Sequence, residues 1–308
     1  MLFGRLLERL DRPVTLAAGG EKATLLAGMN AVDHMLDFEA LPMHELFADA
    51  PEQTGRLNER LGPCGRLISC FPGDAKRDAP ARMRLVAACG AAGAAFLPIR
   101  PPVDFDGHLL DLWTDMLGLP RIARDAPAWA TPREWRLAGS DILAKAGITD
   151  PRSAAVLHPG SGGAAKCWPL DRYRKLAEWA ARREFLPVFL LGPVELDRWP
   201  SDARSSLART APVVSAPPPT GLAGILAAAA VYVGNDSGVS HLAAAVGTPT
   251  VALFGPTPAR QFAPIGPQIL TVQAESMRAI RVPQAAAAVE RLFASATGAS
   301  SRPPVHLE

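Results

Sequence analysis

Apolar positions along this chain alternate between two periods. Short β-branched and apolar runs are followed by stretches in which apolar residues recur every three or four positions, so strands alternate with helices. In the first half, residues 2–10 read as a helix, 14–18 as a strand, 22–29 as a helix and 35–38 as a short strand. Residues 66–71 (R-L-I-S-C-F) predict a buried strand, 81–89 a helix, 94–99 a strand, and Leu109–Leu117 a helix stopped by Gly118. Residues 120–137 hold Pro, Arg and Trp with little periodicity and read as a linker. A helix restarts at 141–146 and is closed by Gly147.

The second half is more regular. Residues 154–157 predict a strand, and 170–184 an amphipathic helix with Leu170, Tyr173, Leu176, Ala177 and Ala180 on one face. Strands follow at 187–191, 212–215 and 231–233, with helices after Gly192-Pro193 and at 221–229. Gly234-Asn235-Asp236 is turn chemistry, and 237–246 is a short helix capped by Asp236 or Ser237 and stopped by Gly247. Residues 249–254 and 268–272 are the last strands and 283–293 the last helix. Two such arrays in series predict an α/β protein with two Rossmann-like parallel-sheet domains facing across a cleft, residues 1–130 and 131–308. The last helix is a candidate to cross back to the first domain.

Composition narrows the function. Of 308 residues, 48% are hydrophobic, enough for two cores. A net charge of +2 argues against a general nucleic-acid binder, and 6% aromatic content against a base-stacking platform. Cys64, Cys70, Cys89 and Cys167 follow no zinc spacing and predict incidental thiols in a reducing cytosol. Residues 1–10 carry Arg5, Glu8 and Arg9 rather than the apolar run of a signal peptide. The apolar stretches 87–98 and 222–233 are too short and Ala-rich to span a bilayer. The expectation is a cytoplasmic protein able to touch a membrane surface.

Ligands of open parallel sheets bind outside the carboxyl ends of the strands. Three loops leave such ends: 158–169 (H-P-G-S-G-G-A-A-K-C-W-P), 192–195 (G-P-V-E) and 234–241 (G-N-D-S-G-V-S-H). In the first, Gly160, Gly162 and Gly163 let backbone approach a ligand, Ser161 offers a hydroxyl and Lys166 a cation, which suits a diphosphate. A P-loop is excluded, because Ala165 and Cys167 stand where Gly and Ser/Thr are needed. Gly160-x-Gly162-x-x-Ala165 fits a loose nicotinamide-dinucleotide pattern, but Trp168-Pro169 starts the helix too late for that fold. Glu195 suits ribose hydroxyls, or is simply a first-turn acid favoured by the helix dipole. A helix opening with Asp236-Ser237-Gly238 suits phosphate, with His241 at the same mouth; a capped helix packed on a sheet explains the same residues. Asp104 and Asp106 read as a solvated turn rather than a metal pair. Lys76, Arg77, Arg82 and Arg84 suit an anionic acceptor or a solvated helix face equally. Asp74 is a candidate base by position alone.

The second half resembles glycosyltransferase family 9, the lipopolysaccharide heptosyltransferases of GT-B fold. The resemblance covers roughly residues 154–266 and rests on three motifs in order: H-P-G-S with K-x-W-P (158–169), strand–G-x-x-E (190–195) and N-D-S-G-x-x-H-L-A-A-A-x-G-T-P-x-V-A-L-F-G-P-T (235–257). It implies a metal-free, cofactor-free inverting transfer of a sugar, heptose from ADP-heptose, to a lipopolysaccharide-type or other saccharide acceptor at the inner membrane. It also implies donor contacts by His158, Ser161, Gly162, Lys166, Glu195, Asp236, Ser237, Gly238 and His241. Lys166 would neutralise the departing nucleotide, and Lys76 and Arg77 would meet the acceptor. The family pattern opens with an apolar strand and R-x-x-x-x-G-D, whose Asp is taken as the acceptor base. Residues 1–10 instead look like the helix after that loop, so the N-terminal domain is expected to lack its first strand. Three readings stay open: an incomplete N-terminus, a member that binds without transferring, or Asp74 as substitute base.

Overall fold

The computed structural model describes residues 1–29, 31–48, 55–71, 73 and 76–297. The chain divides into two compact units, one of residues 3–122 and one of residues 123–308 with residues 1–2.

The first unit runs α1 (Leu2–Leu7), β1 (Thr15–Ala18), α2 (Gly20–Gly28), β2 (His34–Asp37), α3 (Gly55–Leu61), β3 (Arg66–Ser69), α4 (Ala79–Ala88), β4 (Gly93–Phe96) and α5 (Leu109–Leu117). Its strands form two separate parallel pairs among the described residues, β1 with β2 and β3 with β4. Helix α5 ends at Gly118, whose φ of 66° is the left-handed conformation that favours glycine. The buried strand expected at 66–71 is shorter, and its residues are half-buried or exposed, because β3 has a partner on one side only. Leu46, Leu57, Ala81 and Leu85 build a small core beneath it.

The second unit runs α6 (Arg133–Lys145), β5 (Ala154–His158), α7 (Leu170–Ala181), β6 (Leu186–Leu191), α8 (Pro193–Arg198), α9 (Ser201–Ala208), β7 (Val213–Ser215), α10 (Pro219–Ala228), β8 (Val231–Asn235), α11 (Gly238–Ala245), β9 (Thr250–Phe254), α12 (Ala259–Phe262), β10 (Ile269–Gln273) and α13 (Val282–Thr297). Its six-stranded sheet is parallel throughout, in the order β10-β9-β8-β5-β6-β7. Every residue of β5, β8 and β9 is buried, as expected of central strands covered on both faces. Helix α7 lays Tyr173, Leu176, Ala177 and Ala180 onto that sheet, each buried apolar side chain of Leu size contributing about 2 kcal/mol. Leu170, expected on the same face, is only partly buried.

Two expectations need correction, and three helices were not expected. The stretch 120–137 is not all linker, since α6 starts at Arg133, directly after Pro132. Its apolar face is thin because it meets α10 through backbone: a Cβ on Gly224 would lie 1.7 Å from the Trp135 carbonyl oxygen. Gly234-Asn235 is not a turn. It extends β8, with Gly234 opposite His158 and Asn235 opposite Leu253. Helices α3, α9 and α12 carry too short an apolar pattern to have been anticipated.

Candidate functional site

In the second unit the chain starts at β5, builds β6 and β7 to one side, then returns to build β8, β9 and β10 on the other. The order reverses between β5 and β8, and the crevice above such a switch point is where open parallel sheets bind ligands. His158 ends β5 and Asn235 ends β8, so the loops after them meet at that crevice.

Asn235 joins the two loops. Its side-chain amide donates to the carbonyls of Pro159 (2.8 Å) and Gly160 (3.1 Å). Its Oδ1 accepts from the Trp168 N–H (3.1 Å) and the Tyr173 hydroxyl (3.0 Å). A wholly buried amide thus has its acceptor and donors used, and both ends of the glycine loop are tied to β8. Sequence reasoning missed this, having read Asn235 as a turn residue. The available signal was an amide side chain two residues after the apolar run Val231–Val233.

The loop between those ties is open. A Cβ at Gly162 or Gly163 would meet nothing within 4 Å, and Gly162 is exposed. Ser161 donates to the Asp236 carbonyl at 2.8 Å, and Lys166 Nζ lies 2.6 Å from Asp236 Oδ2. Lys166 stays 39% exposed while the Asp236 carboxylate is 10% exposed, so the cation faces the crevice and the anion its wall. The Asp236 N–H is held by the Leu253 carbonyl.

Ser237 caps α11, its hydroxyl accepting from the Ser240 N–H at 3.4 Å. The next residue, Gly238, is exposed with open space beyond it, so the first N–H groups of α11 face solvent at the positive end of the helix. His241 follows one turn in and is half-buried, its N–H bonded to the Ser237 carbonyl. Beneath the cap, Ser240 donates to the Asn235 carbonyl and lies 3.0 Å from the Tyr232 hydroxyl. Tyr232 in turn lies 3.3 Å from His158 Nδ1, which is 3.5 Å from the Ser237 hydroxyl. Burial lowers His158 to a pKa of about 4 and raises both Tyr232 and Tyr173, so the network under the crevice is neutral. His158 is therefore a buried member of that neutral network.

Glu195 sits in the first turn of α8, 5% exposed, with Oε2 accepting from the Gly192 N–H at 2.8 Å. A Cβ on Gly160 would lie 2.0 Å from Glu195 Oε1, so this carboxylate packs directly under the glycine loop. No helix opens inside those glycines. A single 3₁₀ turn covers Ala164–Lys166 and α7 begins at Leu170, so the dinucleotide-loop geometry is not formed.

The first unit holds the remaining candidates. Lys76 and Arg77 are exposed, and Arg77 pairs with Asp78 at 2.9 Å. Arg82 and Arg84 bond the carbonyls of Gly73 and Leu46, which ties both into the fold. Asp104 lies in an exposed turn. Asp74 lies outside the described residues. No group of three or more His, Cys, Asp or Glu among the described residues could hold a metal, and no described helix is long and apolar enough to cross a membrane.

Comparison with known proteins places this geometry. The profile of glycosyltransferase family 9 (heptosyltransferase) matches residues 125–288. Lipopolysaccharide heptosyltransferase 3 of Escherichia coli K12 is 32% identical over 111 residues, a match spanning 33% of this chain and 30% of that protein. The solved glycosyl transferase family 9 protein of Veillonella parvula superposes with a TM-score of 0.73 at 18% identity, over 96% of this chain and 93% of the other. The Escherichia coli ADP-heptose lps heptosyltransferase II superposes at 0.69 and 16% identity, over 96% and 94%. The fold is of GT-B type, and the chain belongs to glycosyltransferase family 9, the heptosyltransferase family.

Proposed function

We propose that this protein is an inverting, metal-independent glycosyltransferase that binds a nucleoside-diphosphate sugar above β5 and β8 and moves the sugar to a saccharide acceptor. The observation that carries the reading is the convergence of Ser161, Lys166 and the open N-terminus of α11 on Asp236 at the switch point. Membership of the family points to heptose as the sugar. The relative named for ADP-heptose suggests the nucleotide, and the lipopolysaccharide enzymes suggest an anionic glycolipid acceptor met at the inner face of the membrane.

Breaking the bond between the anomeric carbon and the diphosphate leaves positive charge on the sugar and negative charge on the leaving group. Lys166 and the first N–H groups of α11 are preorganised for that negative charge. Lys166 now pairs with Asp236, so the diphosphate takes over a cation already in place while Asp236 turns to the sugar or holds the turn. Glu195 accepts ribose hydroxyls from beneath Gly160. The acceptor hydroxyl loses its proton to a base as it attacks, a role this proposal gives to Asp74, the acid that follows the 66–71 segment in sequence. Lys76 and Arg77 meet acceptor anions.

The test is release of nucleoside diphosphate by the full chain from ADP-heptose and a panel of other nucleotide sugars, with a lipopolysaccharide core acceptor. Lys166→Ala is expected to lower kcat by about 10²–10³-fold, the cost of losing one charge-stabilising donor. Chelator is expected to leave the rate unchanged. A donor that raises the melting temperature without turnover would show a binding protein instead. No stabilisation and no release with any donor would overturn both readings.

A further inference from the structure

The sheet of the second unit sets out its loops in a fixed order. Glu195 follows β6, Ser161 and Lys166 follow β5, and Asp236 with the N-terminus of α11 follows β8. These strands are neighbours, so their loops succeed one another along the carboxyl ends at roughly 4.8 Å per strand. A nucleoside-diphosphate sugar laid along that row has its ribose at Glu195 and its diphosphate over β5 and β8. The next place in the row, beyond the diphosphate and away from the ribose, belongs to the loop after β9. That loop is Gly255-Pro256-Thr257-Pro258.

The loop is pinned in place. The Asp236 N–H bonds the Leu253 carbonyl at 3.0 Å, so the chains leaving β8 and β9 start side by side. Gln273, the last residue of β10, grips the loop at both ends. Its Oε1 accepts from the Ala259 N–H at 2.7 Å, and its amide donates to the carbonyls of Gly255 (2.7 Å), Ala274 (3.1 Å) and Phe254 (3.3 Å). A Cβ on Gly255 would lie 2.6 Å from the Met277 backbone nitrogen, so main chains touch on that side. Pro256 and Pro258 fix φ on either side of Thr257. The Ala259 N–H that opens α12 is already used by Gln273, which leaves Thr257 as the polar group the loop can offer. Thr257 is half-buried, and its hydroxyl has no hydrogen-bond partner among the described residues.

We propose that Thr257 is a specificity-determining contact to a hydroxyl of the transferred sugar, with Gln273 as the residue that positions its loop. The chemistry fits the place. A neutral hydroxyl can both donate and accept, which matches the hydroxyls of a sugar, whereas the charged diphosphate is met by Lys166 and the N–H groups of α11. A loop already fixed by two prolines and the Gln273 amide loses little freedom when it binds, so one hydrogen bond there discriminates between sugars. This inference rests on the nucleotide-sugar reading.

The test is calorimetric titration of the full chain with ADP-heptose and, separately, with ADP, which shares the nucleotide and diphosphate but lacks the sugar. Thr257→Val removes the hydroxyl at nearly constant size. It is expected to raise the Kd for ADP-heptose about 5–10-fold, the scale of one lost hydrogen bond, and to leave the Kd for ADP within about twofold. Thr257→Ser keeps the hydroxyl and is expected to bind both as wild type does. Gln273→Met keeps the length and loses the amide, and it is expected to weaken ADP-heptose with the same selectivity. Adding Thr257→Val to it is expected to cost less than in wild type, because the hydroxyl is already misplaced. Additive losses would overturn the positioning role of Gln273. Equal weakening of both ligands by Thr257→Val, or no change with either, would overturn the proposal and leave the nucleotide-sugar reading standing. Wild type that binds neither ligand would overturn both.

Discussion

His158 stands at the end of β5 with its ring against Tyr232, and burial holds its pKa down to about 4. In the unfolded chain the same imidazole titrates near 6.5. Between these values the unfolded state binds the extra proton, so the stability His158 contributes is full above pH 6.5 and is lost as pH falls towards 4. The loss from pH 7.5 to 4.5 is on the order of 2–3 kcal/mol. Urea unfolding of wild type and His158→Gln at those two pH values is the check: the variant is expected to lose that much less. Equal losses would mean that His158 is not held neutral. Single residues also mark how far the sequence could be read. The motif showed that His158, Ser161, Lys166, Asp236 and Ser237 belong to one place, and the structure brings Ser161, Lys166 and Asp236 into direct contact. It did not separate residues that line the crevice from those beneath it. Local spacing gives the loop a residue leaves, whereas depth is decided by partners such as Tyr173 and Tyr232 that lie 15 and 74 positions from His158.

Among elements, the regular helices and strands of the second half were legible because they bury a strong apolar pattern. Helix α7 is one case, and α11, with a Ser cap and Gly247 at φ 86°, is another. Helix α6 was half hidden for the opposite reason. It meets α10 at Gly139 and Gly224, where main chains touch and no large side chain records the contact. A Cβ on Gly139 would lie 2.1 Å from the backbone of Gly224 and Ile225. Gly224→Ala must therefore push the helices apart, since backbone cannot step aside as a flexible side chain can. Overpacking of this kind is expected to cost about 3 kcal/mol. Denaturant midpoints compare it with Gly238→Ala, whose Cβ meets nothing and whose midpoint is expected to move far less. Similar midpoints for the two variants would show that the α6–α10 crossing yields more readily than its geometry indicates.

At the scale of the whole chain, alternating strands and helices reveal two Rossmann-like halves, yet they do not reveal that the halves differ in how well their sheets are buried. Equal patterns can close around six paired strands or around two separate pairs, because pairing depends on which edges meet rather than on local period. This difference should govern local stability. Amides of β5, β8 and β9 lie in wholly buried strands paired on both sides, so they open only when the unit opens. Amides of β1 and β3 lie in half-covered strands with one bare edge each. Native-state hydrogen exchange is expected to be at least about 100-fold slower in β5, β8 and β9 than in β1 and β3, a gap of roughly 2.7 kcal/mol in opening free energy. A ligand bound above β5 and β8 is expected to widen the gap. Identical protection in both sets, unchanged by the ligand, would mean that these strands open in one cooperative step despite their unequal burial.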